Sequence, residues 1–440
     1  MAFDGNELLD LVVSDRLRKS SVHSETNELI SSESDKGRVV NSAAFRRLQQ
    51  KAQVFPLDEN AAVRTRLTHS IEVSQVGRFL AQKVIEKLNL GGKSYENLAA
   101  FVNAVETSCL LHDIGNPPFG HLGEAAIRNW FRQHQENTNL RFFDGNPQGF
   151  RLACFLSGKD EYGLNLTATL LLSCIKYPWV QKSAKAAAPE KFGIFDYDYE
   201  KYKQACELVG WEEGKAFPLA KLMEAADDIA YCTSDLEDGL EKNVIQSYQL
   251  REELDWYEDD TNSPVDTFVK FKTDLIRVAV EEAAEEFVEN IEKIGAGEEV
   301  KLIDDNKEAG GKIKSIKSFA RKYIYSNEDV EKIELAGNSA IKGILGHFRH
   351  ILEMDESRFE CLLHGDYKKA KAHSLEFDMR VFNRLPKSYV KKYEFMKRSL
   401  KNSDGDERDA RNHLVVDFIS GMTDDFAIHT YQVLQGIRVR

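Results

Sequence analysis

The strongest constraint on the fold is the stretch from residue 110 to residue 124, which joins two helical patterns through a sharp break. An apolar run ends at the adjacent pair His112 and Asp113, and a Gly-Asn-Pro-Pro-Phe-Gly segment follows it. Such a segment stops a helix because proline lacks the backbone N–H and clashes with the preceding turn. His121 and Glu124 come next, three residues apart, so a new helix would place both on one face. The stretch therefore predicts a metal-binding pair joined by a short loop to a catalytic pair.

Helical periodicity dominates the rest of the chain. Only 9 of the 440 residues are proline, and Glu, Lys, Ala and Leu are abundant, which favours helices. Hydrophobic residues make up 42% of the sequence, enough for a large core. We therefore expect a helix-rich protein.

Charge, cysteine usage and hydropathy limit the functional classes. The net charge of −13 argues against non-specific nucleic-acid binding through bulk charge. The six cysteines are scattered and form no C-x-x-C pair, which indicates reduced thiols. Neither a signal peptide nor a membrane-spanning apolar run is visible in the sequence. These features predict a cytoplasmic protein without a membrane partner.

His69 lies at the start of an amphipathic pattern over residues 66–90, in which apolar residues recur every three to four positions. An inward-facing histidine in such a stripe is more often a satisfied core residue than a ligand. Arg64 and Arg66 lie beside it, and clustered cations at a buried helix start indicate a nearby anion. These arginines favour a functional role for His69.

A second helical stripe lies within residues 217–242. The residues that share its inward face are Met223, Asp227, Ala230, Tyr231, Ser234 and Asp235. Buried carboxylates are costly unless a metal or a polar ligand compensates them. The alternative interpretation is a run of solvated acidic residues, which suits Glu237 and Asp238 but suits Asp227 poorly.

Inward polar residues from three predicted helices form a candidate metal set: His69, His112, Asp113 and Asp227. Two imidazoles and two carboxylates suit a divalent ion such as Mg, Mn, Fe, Co or Zn. Such an ion lowers the pKa of a bound water. His121 would then act as a base or nucleophile, and Glu124 would orient it.

The ordered His, His-Asp and Asp pattern resembles the signature of HD-domain phosphohydrolases. Longer strings resemble one branch, the dGTPase-type deoxynucleoside triphosphate triphosphohydrolases. The matching strings are FRRLQQKAQVFP at 45–56, TRLTHSIEV at 65–73, HDIGNPPFGHLGE at 112–124, KYPW at 176–179, MEAADDIAY at 223–231 and DFISGMTD at 417–424. They extend from about residue 40 to the C-terminal region, so the resemblance covers nearly the whole chain.

The resemblance implies an all-α fold, with an HD-domain helical core elaborated by additional helices and no substantial sheet. Residues 41–260 would form the HD catalytic core. Residues 1–40 would precede it as an N-terminal arm, and their polar sequence predicts an irregular segment with one short helix. Residues 261–440 would form a C-terminal helical region that packs on the core and completes the pocket.

The same resemblance implies the reaction. Members of this branch cleave a dNTP between the 5′ oxygen and the α-phosphorus, giving a deoxynucleoside and inorganic tripolyphosphate. The implied metal ligands are His69, His112, Asp113 and Asp227. The implied catalytic pair is His121 with Glu124, which would act beside a divalent metal.

Substrate contacts are carried over from the same motifs. Gln53 would contact the sugar and read its 3′ side. Tyr231 would pack against the deoxyribose where a 2′-hydroxyl would clash, and Asp235 would accept a hydrogen bond from the 3′-hydroxyl. The further expected contacts are Arg66, Lys176, Tyr177 and Asn116.

Charge at the triphosphate end departs from the pattern of some relatives. Asn116 occupies a position where some of them carry a histidine, and Asp228 replaces a basic residue of the eukaryotic type. Positive charge must then come from elsewhere, and Lys317 and Arg321 are candidates.

The resemblance also bears on partners and on rival functions. The expected substrate is a dNTP with dGTP favoured, although no short motif encodes guanine recognition. Family members form homo-oligomers, commonly hexamers in this branch, and regulatory dNTP binding and single-stranded DNA binding occur among them. One alternative is an HD phosphohydrolase for another nucleotide, such as a monophosphate or a guanosine tetraphosphate alarmone. The other is a regulatory nucleotide- or nucleic-acid-binding protein with a vestigial site.

Overall fold

The structure is a computed structural model that describes residues 3–20, 27–58, 60–135, 138–183, 191–257, 266–400 and 407–437. Within these ranges the chain contains 21 α-helices and no β-strand, with three isolated β-bridges. The all-α prediction is therefore confirmed. No helix in the described ranges combines the length and the apolar character needed to cross a bilayer.

The helices up to the Gly-Asn-Pro-Pro-Phe-Gly segment and just beyond it are α1 (Gly5–Asp10), α2 (Glu28–Val40), α3 (Ala43–Arg47), α4 (Arg66–Lys87), α5 (Tyr95–Leu111), α6 (Gly120–His134) and α7 (Gly145–Arg151). The next group is α8 (Ala168–Ser173), α9 (Tyr199–Val209), α10 (Pro218–Glu241), α11 (Ser247–Glu253), α12 (Thr267–Glu289) and α13 (Ile291–Gly295). The C-terminal group is α14 (Glu308–Tyr323), α15 (Glu328–Glu353), α16 (Glu356–Leu363), α17 (Tyr367–Ala372), α18 (Glu376–Phe382), α19 (Lys387–Leu400), α20 (Glu407–Ser420) and α21 (Asp424–Leu434).

Three helices at the centre, α4, α5 and α10, pack against one another. Helix α4 begins with a capping box, in which Thr65 and Thr68 exchange side-chain to backbone hydrogen bonds, so the first turn is satisfied before any metal or substrate binds. Helix α10 begins with a proline at its first turn, where the missing N–H has no cost. The capping box and the proline fix where α4 and α10 begin, and so fix the positions of the candidate site residues on these helices.

The N-terminal arm departs from the expectation of a single short helix. Besides α1, residues 28–40 form the 13-residue helix α2, which packs on α5. Three of its four buried residues are polar: Ser31, Ser32 and Asp35, with Val39 as the apolar one. Asp35 accepts a hydrogen bond from the Thr167 N–H at 3.0 Å and pairs with Arg16. Because polar partners satisfy this face, apolar periodicity could not reveal the helix.

The C-terminal helices share a core with the rest of the molecule. Buried apolar side chains from Leu8 to Ala427 form one continuous cluster. The 26-residue helix α15 packs against α6, α18, α20 and α21, and α14 packs against α10 and α12. Helices from beyond residue 300 therefore lie directly behind those that carry the candidate site.

Candidate metal centre and catalytic pair

Three central helices bring two imidazoles and a carboxylate together. His69 lies in the first turn of α4, His112 is the residue that ends α5, and Asp227 lies in the middle of α10. The Asp227 Oδ1 atom is 3.2 Å from His69 Nε2 and 3.5 Å from His112 Nε2. Within the described ranges these are the residues whose His, Cys or carboxylate ligand atoms meet as a group of three, within 4.8 Å of one another.

The orientation of this cluster suits a divalent cation. His112 Nδ1 lies 2.7 Å from the Cys109 carbonyl oxygen, so Nδ1 donates a proton to it and Nε2 presents a lone pair toward Asp227. Burial alone would raise the pKa of Asp227, but His112, His69 and Lys176 hold that pKa well below its ordinary value. An ionised carboxylate beside ring nitrogens is a donor set that divalent metals accept.

Asp113, the fourth expected ligand, lies at the edge of this cluster. Its Oδ2 atom is 3.6 Å from His112 Nε2 and 2.5 Å from Arg66 Nη1. Its Oδ1 atom accepts a hydrogen bond from Asn116 Nδ2 at 2.6 Å. Burial would raise the pKa of Asp113, but Arg66 and His112 lower it. Arg66 and Asn116, both expected at the triphosphate, hold this carboxylate in the structure.

The second pair lies on the first turn of α6, as the spacing predicted. His121 Nδ1 is 3.0 Å from Glu124 Oε2, and Glu124 Oε1 accepts the Gly145 N–H at 2.8 Å. The side chain of His121 is 87% exposed and that of Glu124 is 6% exposed. The hydrogen bond to Glu124 and the charge of that carboxylate raise the pKa of His121. Burial would raise the pKa of Glu124, but the hydrogen bond to His121 lowers it.

The turn before α6 joins the His112–Asp113 pair to the His121–Glu124 pair. Phe119 and Gly120 are both left-handed, with φ of 61° and 53°. A Cβ atom at Gly120 would lie 2.5 Å from Arg66 Nη2, so a side chain here would displace that guanidinium in addition to adopting an unfavourable backbone conformation. The same guanidinium binds Asp113. Arg66 therefore lies between the metal candidates and the start of the helix that carries His121.

Two of the residues expected at the sugar, Tyr231 and Asp235, form a second polar group together with Tyr325. The hydroxyls of Tyr231 and Tyr325 are 2.5 Å apart, and the Tyr325 hydroxyl also donates to Asp235 Oδ2. Burial raises the pKa of Asp235 to about 7. Asp235 Oδ1 and, on a separate segment, Gln53 Oε1 are among the buried side-chain atoms without a hydrogen-bond partner in the described residues. The Tyr231 ring centroid is 6.3 Å from that of His69, so this group adjoins the metal candidates.

Tyr325 is the member of this group that the sequence reading missed. It lies two residues beyond the end of α14 and meets Tyr231 and Asp235 only in the completed fold. No local sequence pattern therefore indicates its role.

The cations expected at the triphosphate have protein partners in the structure. Lys176 Nζ is 3.1 Å from Glu224 Oε1 and 6.0 Å from the centre of the Tyr177 ring. Burial would lower the pKa of Lys176, but Glu224 raises it above its ordinary value. Lys317 of α14 pairs with Asp228 at 2.6 Å. Its ammonium group therefore neutralises Asp228, the acidic residue at the position where a basic residue is expected from the eukaryotic type.

One expectation about the α10 acids was wrong. Asp238 is 1% exposed rather than solvated. Arg64 binds it at 2.7 Å and also binds Glu72 and Glu237. The anion expected near Arg64 is therefore a set of protein carboxylates. The ion pair with Arg64 explains why Asp238 can be buried.

Comparison with known proteins assigns the family. The HD domain matches residues 66–141, and the phosphohydrolase-associated domain matches residues 360–433. A probable deoxyguanosinetriphosphate triphosphohydrolase from Pseudomonas aeruginosa is 33% identical over 92% of this chain and 93% of its own length. Deoxyguanosinetriphosphate triphosphohydrolases from Yersinia pestis and Klebsiella pneumoniae are 32% and 33% identical, covering 91% and 94% of this chain and 93% and 96% of their own lengths. With identity above 30% across nearly the whole chain, the protein belongs to the deoxyguanosinetriphosphate triphosphohydrolase family.

Proposed function

We propose that this protein is a metal-dependent hydrolase of deoxynucleoside triphosphates, with dGTP as the favoured substrate. Its products would be the deoxynucleoside and inorganic tripolyphosphate. The observation that carries the proposal is the cluster of His69, His112 and Asp227 in one site with the exposed His121 and its buried partner Glu124. The names of the relatives supply the substrate class.

His69, His112 and Asp227 would hold the divalent metal, with Asp113 as the fourth protein ligand. When bound, the metal would polarise a phosphoryl oxygen and lower the pKa of a coordinated water. Arg66 would keep Asp113 ionised and directed toward the cluster, since it contacts Oδ2 and lowers the pKa of that carboxyl.

His121 would carry the proton transfer. Its Nδ1 donates to Glu124, which fixes the tautomer and leaves Nε2 directed toward the open side. At Nε2 the imidazole would take a proton from the water that attacks the α-phosphorus and deliver it to the departing 5′ oxygen. The buried carboxylate of Glu124 would stabilise the imidazolium between these two steps.

Recognition of a deoxyribose is supported by the polar group around Tyr231. The free acceptor atoms of Asp235 and Gln53 suit a hydroxyl donor such as the 3′-hydroxyl, because a buried acceptor without a partner is costly. Tyr325 would hold Tyr231 beside the metal, where its ring would exclude a 2′-hydroxyl. Tyr325 comes from the proposed 261–440 region, which supports the proposal that this region completes the pocket.

The triphosphate would be held by Arg66, Asn116 and Lys176, and Tyr177 would form part of the pocket wall. Lys176 is held in its charged form by Glu224, and a charged amine beside a divalent metal suits a polyphosphate.

The bond that is broken can be tested with labelled water. The protein is incubated with each of the four dNTPs, with dGMP and with guanosine tetraphosphate, in the presence of Mn²⁺ or Mg²⁺ and H₂¹⁸O. We expect deoxyguanosine and tripolyphosphate from dGTP, with the ¹⁸O in the tripolyphosphate, since water attacks phosphorus. Pyrophosphate or orthophosphate as the first product, or ¹⁸O in the nucleoside, would refute the assigned bond.

A further inference from the structure

The string DFISGMTD at residues 417–424 has no part in the proposed function, although it lies within the phosphohydrolase-associated domain. Its last residue, Asp424, is 3% exposed. The Oδ1 atom of Asp424 accepts the Phe119 N–H at 3.0 Å, and its Oδ2 atom accepts the Ala52 N–H at 2.9 Å. One carboxylate of the C-terminal helices therefore binds the backbone of two separate segments that border the site.

Phe119 is the residue at which the turn before α6 is most constrained. Its left-handed conformation is unfavourable for a residue with a side chain and persists only where the surroundings enforce it. The Phe119 ring lies against Gly337 of α15, where an added Cβ would come within 2.7 Å of Phe119 Cδ1. Contacts from α15 and α21 thus hold the residue that sets the direction of α6, two positions before His121.

Lys51 connects the other end of this turn, at Asn116, to the C-terminal helices. Lys51 is 3% exposed, and its Nζ donates to the carbonyl oxygen of Asn116 at 2.5 Å and to that of Ser420 at 2.8 Å. Ser420 belongs to the same string as Asp424. The turn from 116 to 119 is therefore fastened at both ends to the C-terminal helices.

A third link reaches the other member of the catalytic pair. The first residue of α7, Gly145, donates its N–H to Glu124. The last residue of α7, Arg151, binds Asp417, the first residue of the string, with Nη2 2.9 Å from Oδ2. The string thus contacts the supports of both His121 and Glu124.

We infer that Asp424 is a positioning residue for the His121–Glu124 pair. Its carboxylate fixes the left-handed turn from which His121 projects and ties that turn to the segment that carries Gln53. The inference rests on the proposed function, because it assigns His121 and Glu124 the chemical role. It gives the DFISGMTD string a task that neither the metal cluster nor the substrate contacts require.

Two substitutions at Asp424 give a graded test. Asp424→Asn keeps one acceptor oxygen and loses the other, whereas Asp424→Ala leaves both N–H groups without a partner. We expect kcat to fall by about 10-fold and about 100-fold respectively, because a displacement of about 1 Å in a catalytic group costs on the order of 100-fold. The affinity for Mn²⁺, measured by calorimetry, should change less than about threefold, since the hydrogen bonds of the Asp424 carboxylate go to Phe119 and Ala52 rather than to His69, His112, Asp113 or Asp227.

A matched control separates positioning from a general loss of stability. Asp35, like Asp424, is a buried carboxylate that accepts a backbone N–H, but it belongs to α2 and joins that helix to Arg16 and to Thr167 at the start of α8. Asp35→Asn should lower the melting temperature and leave kcat of the folded protein unchanged. Equal kcat values for Asp424→Ala and the wild type, or a loss of kcat matched by Asp35→Asn, would overturn the inference.

A spectroscopic readout keeps the inference testable if the proposed reaction is wrong. In ¹⁵N-histidine NMR, with His121 assigned by its absence in His121→Ala, the wild type should show His121 protonated at Nδ1. Asp424→Ala should convert this signal to a mixture of tautomers. A wild type that hydrolyses no dNTP would refute the function alone, whereas an unchanged His121 signal in Asp424→Ala would refute the positioning role.

Discussion

Burial divides His121 and Glu124, two residues of one helical turn, into different roles. His121 is open to a substrate, and Glu124 is enclosed and bound by the Gly145 N–H. A carboxylate in that position has a fixed orientation and little competition from water, so its hydrogen bond acts strongly on the imidazole. The pKa of His121 is accordingly raised. At the scale of the residue, the site is one reactive group with a buried group that controls it.

The pH profile should report this control. A raised pKa keeps His121 protonated to a higher pH, and a base must be neutral, so activity appears only as the pH rises through that pKa. Glu124→Gln removes the charge that raises the pKa. We expect the acid limb of kcat/KM to move to lower pH and kcat to fall by about 10-fold or more.

The control for this measurement is Glu96→Gln, which changes an exposed acid in the first turn of α5 and should leave the profile in place. An acid limb that stays fixed or moves to higher pH in Glu124→Gln would contradict the role given to His121.

Sugar discrimination should depend on the ring of Tyr231. Tyr231→Ala removes the group proposed to exclude a 2′-hydroxyl, so the ratio of kcat/KM for dGTP over GTP should fall by about 10-fold or more. Tyr231→Phe keeps the ring and loses the contacts of the hydroxyl with Tyr325 and Asp235, so most of the discrimination should remain. Comparable ratios for the two variants would show that the hydroxyl network, rather than the ring, selects the sugar.

At the scale of the element, each central helix contributes one residue to the metal cluster, and short helices fix their surroundings. Helix α7 is an example, since it supports Glu124 at one end and carries Arg151 at the other. Arg151 is fully buried and binds both Asp198 and Asp417. These contacts join the α7 segment to the start of α9 and to α20.

Loss of Arg151 should therefore destabilise the fold. Arg151→Met leaves Asp198 and Asp417 buried without their cation, a change that costs about 3–5 kcal/mol. Urea unfolding should show a much lower midpoint. Arg349→Met, which removes an exposed pair with Glu353, should leave the midpoint within error because exposed ion pairs contribute little. Similar midpoints for both variants would contradict a structural role for the buried group.

At the scale of the whole molecule, the site is assembled from distant parts of the chain. His69 and Asp227 are 158 positions apart in the sequence. Asp235 and Tyr325, which share a hydrogen bond, are 90 positions apart. The central helices hold the metal candidates, while the chain beyond residue 300 supplies Tyr325, from the turn between α14 and α15, and Asp424, from the start of α21. A bound metal would connect α4, α5 and α10 directly and so stabilise the folded state as a whole.

Metal removal should test that coupling. A ligand that binds only the folded state adds about 2.7 kcal/mol at a concentration 100-fold above its Kd. EDTA should therefore abolish dNTP hydrolysis and lower the melting temperature, and Mn²⁺ should restore both. His112→Ala should be inactive, and its melting temperature should not respond to EDTA. An equal response in His112→Ala and the wild type would place the metal elsewhere.

Two kinds of evidence in the sequence predicted the structure correctly: the family resemblance and the spacing of residues within a helix. The all-α class followed from the resemblance, in keeping with the helix-favouring composition, and the one-face arrangement of His121 and Glu124 followed from their i, i+3 spacing. Helix α2 was missed because its buried face is mostly polar, and Asp238 was misjudged because its partner Arg64 lies 174 positions away. Periodicity reports contacts within a helix, whereas pairings between distant polar residues depend on the completed fold.

The hydrogen bond between Ala52 and Asp424 spans 372 positions of the chain. During synthesis, residues 66–124 leave the ribosome long before residue 424 exists, so the metal ligands within that stretch are present while the turn before His121 still lacks its support. If Asp424 positions the catalytic pair as inferred, a nascent chain lacks a correctly placed His121 until its C-terminal helices have folded. Incomplete translation products would then leave the cell's nucleotide pool untouched.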